Sequence, residues 1–341
     1  MRIRLRGYLV IFFAFTFPTC AQPAAVTNSV ATNNSSGPLV LTQTIALPNV
    51  EGGLNHMVVA AKIHKAFIPA PIQGTVEVVD LDSGKRVRSL TGEKPSSVRY
   101  SSEFNELYIT RAREVLILDA SSLQLLTNVD VHTGLNEIHY DGNKKLLYAG
   151  CINVGKSGIA VVDLATRTLK EKIDLPAKPM GFAIEWRAGR ILANMPTLGQ
   201  VGIIDLNQHK LIGTWTLSAS ANYAIALDEP IHRAFVGCRT PPCMLALDLA
   251  DGRVVGKVPI DRDSDDLFFD PEHHFIYISC GGGHLEVVEQ KDPDTYRLVQ
   301  EIHTGERART CFYSGVLKKL FVAVPAVGEH HAELQVYEVK K

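Results

Sequence analysis

The sequence has almost no net charge, because 35 Lys and Arg residues are balanced by 36 Asp and Glu residues to give a formal charge of −1. Such a chain has no overall field that would recruit nucleic acid or an anionic membrane surface. Aromatic residues make up only 7% of the chain and are not clustered, as they would be on a platform for stacked bases. We therefore expect no nucleic-acid partner.

Long hydrophobic runs and the common catalytic motifs are also missing. After the N-terminus, no run is long and apolar enough to span a bilayer. There is no Gly-x-Ser-x-Gly elbow, no His-Glu-x-x-His helix and no second closely spaced ligand pair of the kind that zinc sites use. The glycines at 281–283 lack a following helix and a Lys-Ser/Thr pair, which favours a hairpin turn over a phosphate loop. We expect no metal site, and the sequence names no cofactor.

What the sequence does contain is one pattern repeated seven times at intervals of 40 to 44 residues. Each repeat has an apolar first strand, a polar turn, a second strand, a third strand that usually ends in Asp, and a more polar fourth strand. A period near 40 with four strands per repeat is typical of a propeller blade. The equivalent first-strand positions are His56, Ser97, Glu137, Gly181, Ala224, Asp266 and Thr310.

The two ends of the repeat region complete each other. The seventh repeat stops at a third strand, residues 334–339, and residues 39–46 read as a fourth strand without a blade. Pairing the two would close the ring and leave no exposed sheet edge. The sequence therefore predicts an all-β fold, a seven-bladed propeller over residues 39–341 closed by its N-terminal strand, with about 43 residues per blade.

The N-terminus has the pattern of an export signal. Arg2, Arg4 and Arg6 precede a short apolar stretch at 8–17, and small residues suited to cleavage end at Ala21. We predict a signal peptide at 1–21 and a flexible Ala-, Asn-, Ser- and Thr-rich linker at 22–38. A lipid anchor on Cys20 is the alternative, so the expected location is periplasmic or extracellular, with membrane attachment as a lipoprotein kept open.

Six cysteines stand at positions 20, 151, 238, 243, 280 and 311. Cys151, Cys238 and Cys280 share one place in three blades, the end of the second strand, which favours a packing role for a small side chain. Cys238 and Cys243 flank a short loop that closes a hairpin, so a local disulfide between them is geometrically feasible in an oxidising compartment.

Candidate functional residues lie where the first strands begin, since these positions form a ring at the mouth of the central channel. Two interpretations compete. In one, the polar side chains are solvated and pair among themselves, for example Asp266 with Arg309. In the other, the acids and His56 converge with Arg309 on a small polar molecule or a metal ion. Side chains alternate along a strand, so we expect only one of Asp265 and Asp266 to face the channel. The candidates are Asn55, His56, Asn136, Glu137, Asp265, Asp266 and Arg309 in the ring, and Arg111 and Arg239 in nearby loops.

The chain resembles the exported YVTN-type propeller proteins, which are related to surface-layer and lactonase-like seven-bladed propellers. The resemblance covers 39–341 and depends on the third-strand-plus-turn unit at 76–85 and on the segments 55–57, 226–229, 235–239 and 265–268. The Tyr-Val-Thr-Asn core is degenerate, with Leu-Tyr-Ile-Thr at 107–110 as its nearest form. The resemblance implies an envelope protein and no defined reaction.

Three function classes follow, in this order. The first is a binding or scaffold propeller whose partner is an envelope or extracellular protein or a small polar ligand. The second is a lactonase-like hydrolase in which an acid or His56 acts as general base and Arg309 holds an anionic group. Nucleic-acid binding is the last. We regard an enzyme as less expected than a binding module, and the sequence assigns no catalytic residue.

Overall fold

The computed structural model describes residues 37–340, which form seven four-stranded antiparallel sheets around a central channel. Strand β1 (Leu39–Ala46) precedes blade 1, which consists of β2 (Val58–Ala60), a 3-10 helix (Ala61–Ile63), β3 (Lys65–Ala70), β4 (Thr75–Asp80) and β5 (Lys85–Thr91). Blades 2 to 4 are β6 (Pro95–Ser101), β7 (Glu106–Arg111), β8 (Glu114–Asp119), β9 (Leu125–Asp130), β10 (Leu135–Asp141), β11 (Leu146–Cys151), β12 (Gly158–Asp163), β13 (Thr168–Asp174), β14 (Phe182–Glu185), β15 (Arg190–Met195), β16 (Gln200–Asp205) and β17 (Lys210–Thr216). Blades 5 to 7 are β18 (Ser220–Asp228), β19 (Arg233–Thr240), β20 (Pro242–Asp248), β21 (Val254–Pro259), β22 (Ser264–Asp270), β23 (Phe275–Cys280), β24 (His284–Asp292), β25 (Thr295–His303), β26 (Thr310–Ser314), β27 (Lys319–Val324) and β28 (Glu333–Val339). The prediction of seven four-stranded blades is confirmed.

The ring closes through β1, as the sequence predicts. β1 pairs antiparallel with β28, from Leu39 opposite Val339 to Ala46 opposite Glu333. Its backbone is also tied to blade 6, because the amide of Gln300 both accepts from the Leu39 N–H and donates to the Leu39 carbonyl, each at 2.9 Å. β1 thereby completes the seventh sheet and covers the edge of β28 that would otherwise stay open.

The Asp that ends most third strands has a structural reason. Its carboxylate accepts hydrogen bonds from backbone N–H groups two or three residues later, as Asp119 does from Ser121 and Ser122 and Asp205 does from Asn207 and Gln208. Asp is suited to such turns because its short side chain can satisfy the local backbone donors. The repeated Asp therefore marks the turn into the fourth strand.

The core lies between neighbouring blades. Each buried cluster joins the facing surfaces of two sheets, as where Ile45 of β1 and Phe321 of β27 pack with Ile68 of β3. Apolar residues on both faces of the inner strands are buried because each sheet is covered on both sides. Cys151, Cys238 and Cys280 are fully buried among these clusters, consistent with their expected packing role.

The propeller has two faces that differ in their connections. The upper face carries the segments that lead into each first strand and the loops between second and third strands. The lower face carries the turns between first and second strands and between third and fourth strands. No helix in the described part of the chain is long and apolar enough to cross a membrane.

The predictions for the N-terminus fall mostly outside the described residues. The signal peptide at 1–21, the alternative lipid anchor at Cys20 and the linker up to residue 36 all precede Gly37.

Candidate functional site

The central channel encloses a cavity of about 510 Å³ to which the first strands of all seven blades contribute. This volume is within the range of roughly 300–1,000 Å³ that is typical of small-molecule sites. Four of the sequence candidates line it, namely His56, Glu137, Asp265 and Asp266. The convergence of residues far apart in the chain is a direct result of the propeller geometry.

The cavity has a charged end and an aromatic end. The charged residues lie near the start of the first strands, towards the upper face, whereas Tyr140, Phe268 and Trp186 follow further along. Trp186 and Glu229 belong to turns on the lower face, and no residue from a loop between second and third strands lines the cavity. The cavity therefore extends from the predicted ring towards the lower face, on the opposite side from the loops that we expected to frame a ligand.

His56 and Asp266 form an ion pair inside the channel. Nδ1 of His56 lies 2.8 Å from Oδ1 of Asp266, and Oδ2 of Asp266 accepts a hydrogen bond from the N–H of Cys311 at 3.0 Å. Burial alone would lower the pKa of His56, but Asp266, Asp265 and Glu137 outweigh it and raise the pKa to about 9. His56 is therefore an imidazolium at neutral pH, and its Nδ1–H donates to Asp266.

The prediction that only one of Asp265 and Asp266 faces the channel is wrong. Both line the cavity, because the register between β22 and β23 shifts between Ser264 and Asp266. A bulge of this kind adds one unpaired residue and interrupts the alternation of side chains. Burial raises the pKa of the Asp265 carboxyl, against the opposing effect of His56 and two arginines.

Those two arginines, Arg239 and Arg309, hold Asp265 from the upper side. Arg239 lies 2.8 Å from Asp265 and 2.7 Å from Asp263, and Arg309 lies 3.1 Å and 3.2 Å from the same two carboxylates. The guanidinium of Arg239 also stacks 3.5 Å from the centre of the Tyr223 ring. The expected ion pair between Asp266 and Arg309 is therefore not formed. Asp266 pairs with His56, and Arg309 pairs with Asp263 and Asp265.

Glu137 is held by cations and donors from three blades. Its Oε1 accepts from Arg99 at 3.2 Å and from Nε2 of His139 at 2.9 Å, and its Oε2 accepts from the Phe182 N–H at 3.3 Å. Burial alone would raise the pKa of Glu137, but His139, His56 and Arg99 lower it to about 2. Burial lowers the pKa of His139, which is therefore neutral and donates through Nε2.

The other candidates serve different purposes. Asn55 donates to the Ser96 hydroxyl at 3.2 Å, Ser96 donates to Asn136 at 2.9 Å, and Asn136 donates to the carbonyl of Met180 at 3.2 Å. This chain of hydrogen bonds links the first strands of four blades and is a structural tie. Arg111 lies outside the channel, where it pairs with Glu114 at 2.8 Å.

Sequence reasoning missed Arg99, His139 and Asp263. Arg99 and His139 each stand two residues after a ring position, Ser97 and Glu137, on the same strand. Alternation along a strand places residues i and i+2 on one face, so this spacing could have identified both.

The charged cluster, defined as His56, Arg99, Glu137, Arg239, Asp263, Asp265, Asp266 and Arg309, is neutral as a whole at pH 7. It has four cations and four carboxylates, and every carboxylate oxygen accepts from at least one donor. Across residues 37–340, no group of three or more His, Cys, Asp and Glu side chains is arranged to hold a metal ion. The site is thus a network of paired charges beside an open cavity.

Comparison with known proteins places the chain by fold. No protein-family model matches it, and no curated protein matches it in sequence. Among solved structures, Kuenenia stuttgartiensis hydrazine synthase matches with a TM-score of 0.72 and 17% identity, over 81% of this chain and 94% of that one. A chain of the Mitotic Checkpoint Complex matches with a TM-score of 0.73 and 16% identity, over 98% and 99%. The Cps50 (Swd1) beta-propeller domain of Myceliophteria thermophila matches with a TM-score of 0.70 and 14% identity, over 89% and 100%. These similarities show a seven-bladed propeller fold.

Proposed function

We propose that this protein is a binding propeller that holds a small polar molecule in its central channel. The observation that carries the proposal is the cavity of about 510 Å³, into which charged side chains of blades 1, 2, 3 and 6 project beside an aromatic end. A purely structural channel needs no such mixture, because small side chains at the equivalent positions would also fill a propeller ring. The ligand reaches the charged end from the lower face, past Trp186.

A channel-filling variant tests this proposal. Ala183 is partly exposed and lines the cavity, so Ala183→Phe should occupy the space without adding charge. The matched control is Ala165→Phe, at an exposed turn position outside the cavity. Ligand-observed NMR with a mixed set of anionic, neutral and cationic fragments should give binders for the wild type and for Ala165→Phe. Binders that persist unchanged in folded Ala183→Phe, or a complete lack of binders, would count against a channel ligand.

We also propose that the protein acts in the cell envelope or outside the cell, as a member of the exported YVTN-type propeller proteins. The support is the basic and apolar pattern of residues 1–21, followed by the polar segment 22–38. The mature chain should begin at or near Gln22. Mass spectrometry of the mature N-terminus distinguishes the alternatives, because a diacylglyceryl adduct on Cys20 would mean a lipoprotein. Retention of residues 1–17 would contradict both.

The hydrolase alternative takes a narrower form in this geometry. His56 carries a proton at neutral pH and Arg309 contacts carboxylates above the cavity, so neither is free for the role first considered. Asp265 lines the cavity and burial raises its pKa, but both of its oxygens accept from Arg239 and Arg309, so it acts as a base only where one of these ion pairs opens. Hydrolysis of a panel of lactones by the wild type, lost in Asp265→Asn, would favour this alternative over simple binding.

A protein partner is favoured by a different feature, on the upper face. Ile72, Val154 and Leu198 stand at the tips of loops between second and third strands and are 72%, 87% and 46% exposed. Apolar loop tips on one face of a propeller are available to a docked protein, although single exposed apolar residues are common. Replacing all three with Ser should then abolish pull-down of an envelope partner while leaving fragment binding in the channel intact.

A further inference from the structure

At the charged end of the channel the carboxylates are paired, whereas two cations keep unused hydrogen-bond donors. His56 lines the cavity and is only 7% exposed; its Nδ1–H donates to Asp266, and its Nε2–H has no acceptor among residues 37–340. Arg99 donates through its two terminal nitrogens to the Val98 carbonyl and to Glu137, and no acceptor in the described part of the chain meets its Nε–H. Both unused donors belong to cations.

The carboxylate acceptors, by contrast, are occupied, and Nδ1 of the neutral His139 is the one side-chain acceptor of the charged end that has no partner among residues 37–340. The oxygens of Asp266 accept from His56 and from the Cys311 N–H, and those of Asp265 accept from Arg239 and Arg309. The oxygens of Glu137 accept from three donors. Because the charged cluster is neutral as a whole, its net charge repels neither anions nor cations. The unused donors then decide which ligand group fits.

The two cations also lie near the same carboxylate. Arg99 is 3.2 Å from Glu137, and both His56 and Arg99 are close enough to Glu137 to lower the pKa of its carboxyl. One ligand group with two acceptor oxygens could contact both cations, and hydrogen bonds between ionised partners are the strong ones. Beyond this point the cavity wall is mainly aromatic, with Tyr140, Phe268 and the half-exposed Trp186. Glu229 also lines this end, and its two oxygens accept from the N–H groups of Trp186 and Arg187.

We propose that the channel ligand is an organic carboxylate with a flat apolar body, its carboxylate on His56 Nε2 and Arg99 and its body against Tyr140, Phe268 and Trp186. This inference rests on the proposed channel-binding function and adds the chemical class of the ligand. The carboxylate replaces water at two buried cationic donors, and the body covers aromatic surface that is otherwise exposed to solvent.

Three probes that differ only in the head group test the class. They are 3-phenylpropanoate, 3-phenylpropanamide and 3-phenylpropylamine, titrated into the purified wild-type protein by calorimetry at neutral pH. We expect the carboxylate to bind at least about tenfold more tightly than the amide, and the amine not to bind. Carboxylate affinity should also fall as the pH rises through about 9, where His56 loses its positive charge.

Two variants locate the carboxylate. His56→Gln keeps a donor but removes the charge, and should weaken 3-phenylpropanoate about tenfold while changing the amide little. The control is His284→Gln, because His284 pairs with Asp261 at 2.7 Å in the same manner but does not line the cavity. If His56→Gln does not fold, the double variant His56→Gln with Asp266→Asn removes both charges and allows the same comparison.

The results distinguish a wrong ligand class from a wrong assignment of binding to the channel. Equal affinity for the three head groups, tighter binding of the amine, or carboxylate binding that His56→Gln leaves unchanged would overturn the ligand class. If 3-phenylpropanoate does not bind but other fragments bind in the channel and are lost in Ala183→Phe, the ligand class is wrong and the binding function stands. If no fragment of any charge binds in the channel, both fail.

Discussion

The two sides of the channel wall use the same seven equivalent positions in different ways. Blades 1, 3 and 6 place His56, Glu137 and Asp266 there, and side-chain ion pairs connect the first strands. Blades 4 and 5 place Gly181 and Ala224 there, and their first strands approach through the backbone. A Cβ atom on Gly181 would lie 2.1 Å from the carbonyl oxygen of Tyr223 in blade 5.

The two sides of the wall show how one fold can hold a charged site and keep its ring closed. On the small-residue side, close backbone contact and the amide of Asn194, which donates to the Tyr223 and Ala224 carbonyls at 3.0 and 2.9 Å, hold the blades together. Because these contacts hold blades 4 and 5 together, the first strands on the charged side can carry ionisable side chains while the ring stays closed. The following experiments break each side in turn.

The largest effect should come from breaking the ion pair on the charged side. Asp266→Ala leaves the His56 imidazolium and the Cys311 N–H without their acceptor in a buried place, so we expect a loss of about 3–5 kcal/mol in the free energy of unfolding. Urea denaturation measures it. The control is Asp82→Ala, since Asp82 pairs with His64 at the same 2.8 Å but both are more than half exposed; its cost should stay below about 1 kcal/mol.

The double variant His56→Gln with Asp266→Asn should recover most of that loss, because it removes both charges and keeps the shape. A double variant as unstable as Asp266→Ala would mean that the pair is needed for its geometry rather than for the balance of charge.

The charged side should also make stability depend on pH. The pKa of His56 is raised to about 9 in the folded protein, against about 6.5 in an unfolded chain. The folded state therefore binds more protons in between, so the stabilising contribution is complete below about pH 6.5 and is lost as the pH rises through about 9. We expect a decrease on the order of 3 kcal/mol in unfolding free energy over this range. Urea denaturation across it should show a smaller decrease for His56→Gln, and an equal decrease would assign the effect to other groups.

A smaller effect should come from the small-residue side. Gly181→Ala forces its new methyl group against the Tyr223 carbonyl, and the backbone must move, at an expected cost of about 1–3 kcal/mol. Gly213→Ala in the same blade is the control, since its added methyl group would meet nothing nearer than 3.6 Å. If the two variants are equally stable, the close approach of blades 4 and 5 does not hold that side of the wall.

The fold could be predicted almost completely from the sequence, because each blade repeats the same local rules. The apolar strands, the Asp at the end of the third strand and the period of 40 to 44 residues each reappear several times. The closure by residues 39–46 followed from counting strands, and β1 has those bounds.

The site could be predicted only in part, because its pairing depends on distances across the ring. The position of His56, Glu137, Asp265 and Asp266 at the channel follows from the repeat. Their pairing partners cannot be read from the repeat, because the side chain of His56 in blade 1 contacts Asp266 in blade 6, two blades away around the ring. The bulge at Asp265 also interrupts the alternation of side chains along the strand, so alternation predicts the wrong orientation for that side chain.

The last effect, similar in size to that of Gly181→Ala, concerns the hairpin that carries Arg239, a residue that links the two sides of the wall. Arg239 belongs to blade 5 but forms ion pairs with Asp263 and Asp265 at the start of blade 6. Arg239 is carried by the hairpin of β19 and β20, and one residue pair further from its turn Cys238 and Cys243 lie directly opposite each other as free, buried thiols. Directly opposite strand residues have Cα separations of about 4.5–5.5 Å, which a disulfide accommodates without backbone movement.

We therefore expect Cys238 and Cys243 to become joined when the protein is refolded with glutathione disulfide, which takes up the two electrons and is reduced to two thiols. The bond closes a short loop, so it should add about 2 kcal/mol to the unfolding free energy and restrain the hairpin that carries Arg239. Peptide mapping after alkylation should find this pair linked and Cys151 free, since Cys151 lies in another blade against the Ala149 carbonyl. Cys243→Ser should lose the added stability. If both thiols stay alkylatable after refolding under these conditions, the hairpin holds Arg239 without a covalent link, and the two sides of the channel wall are joined by its ion pairs alone.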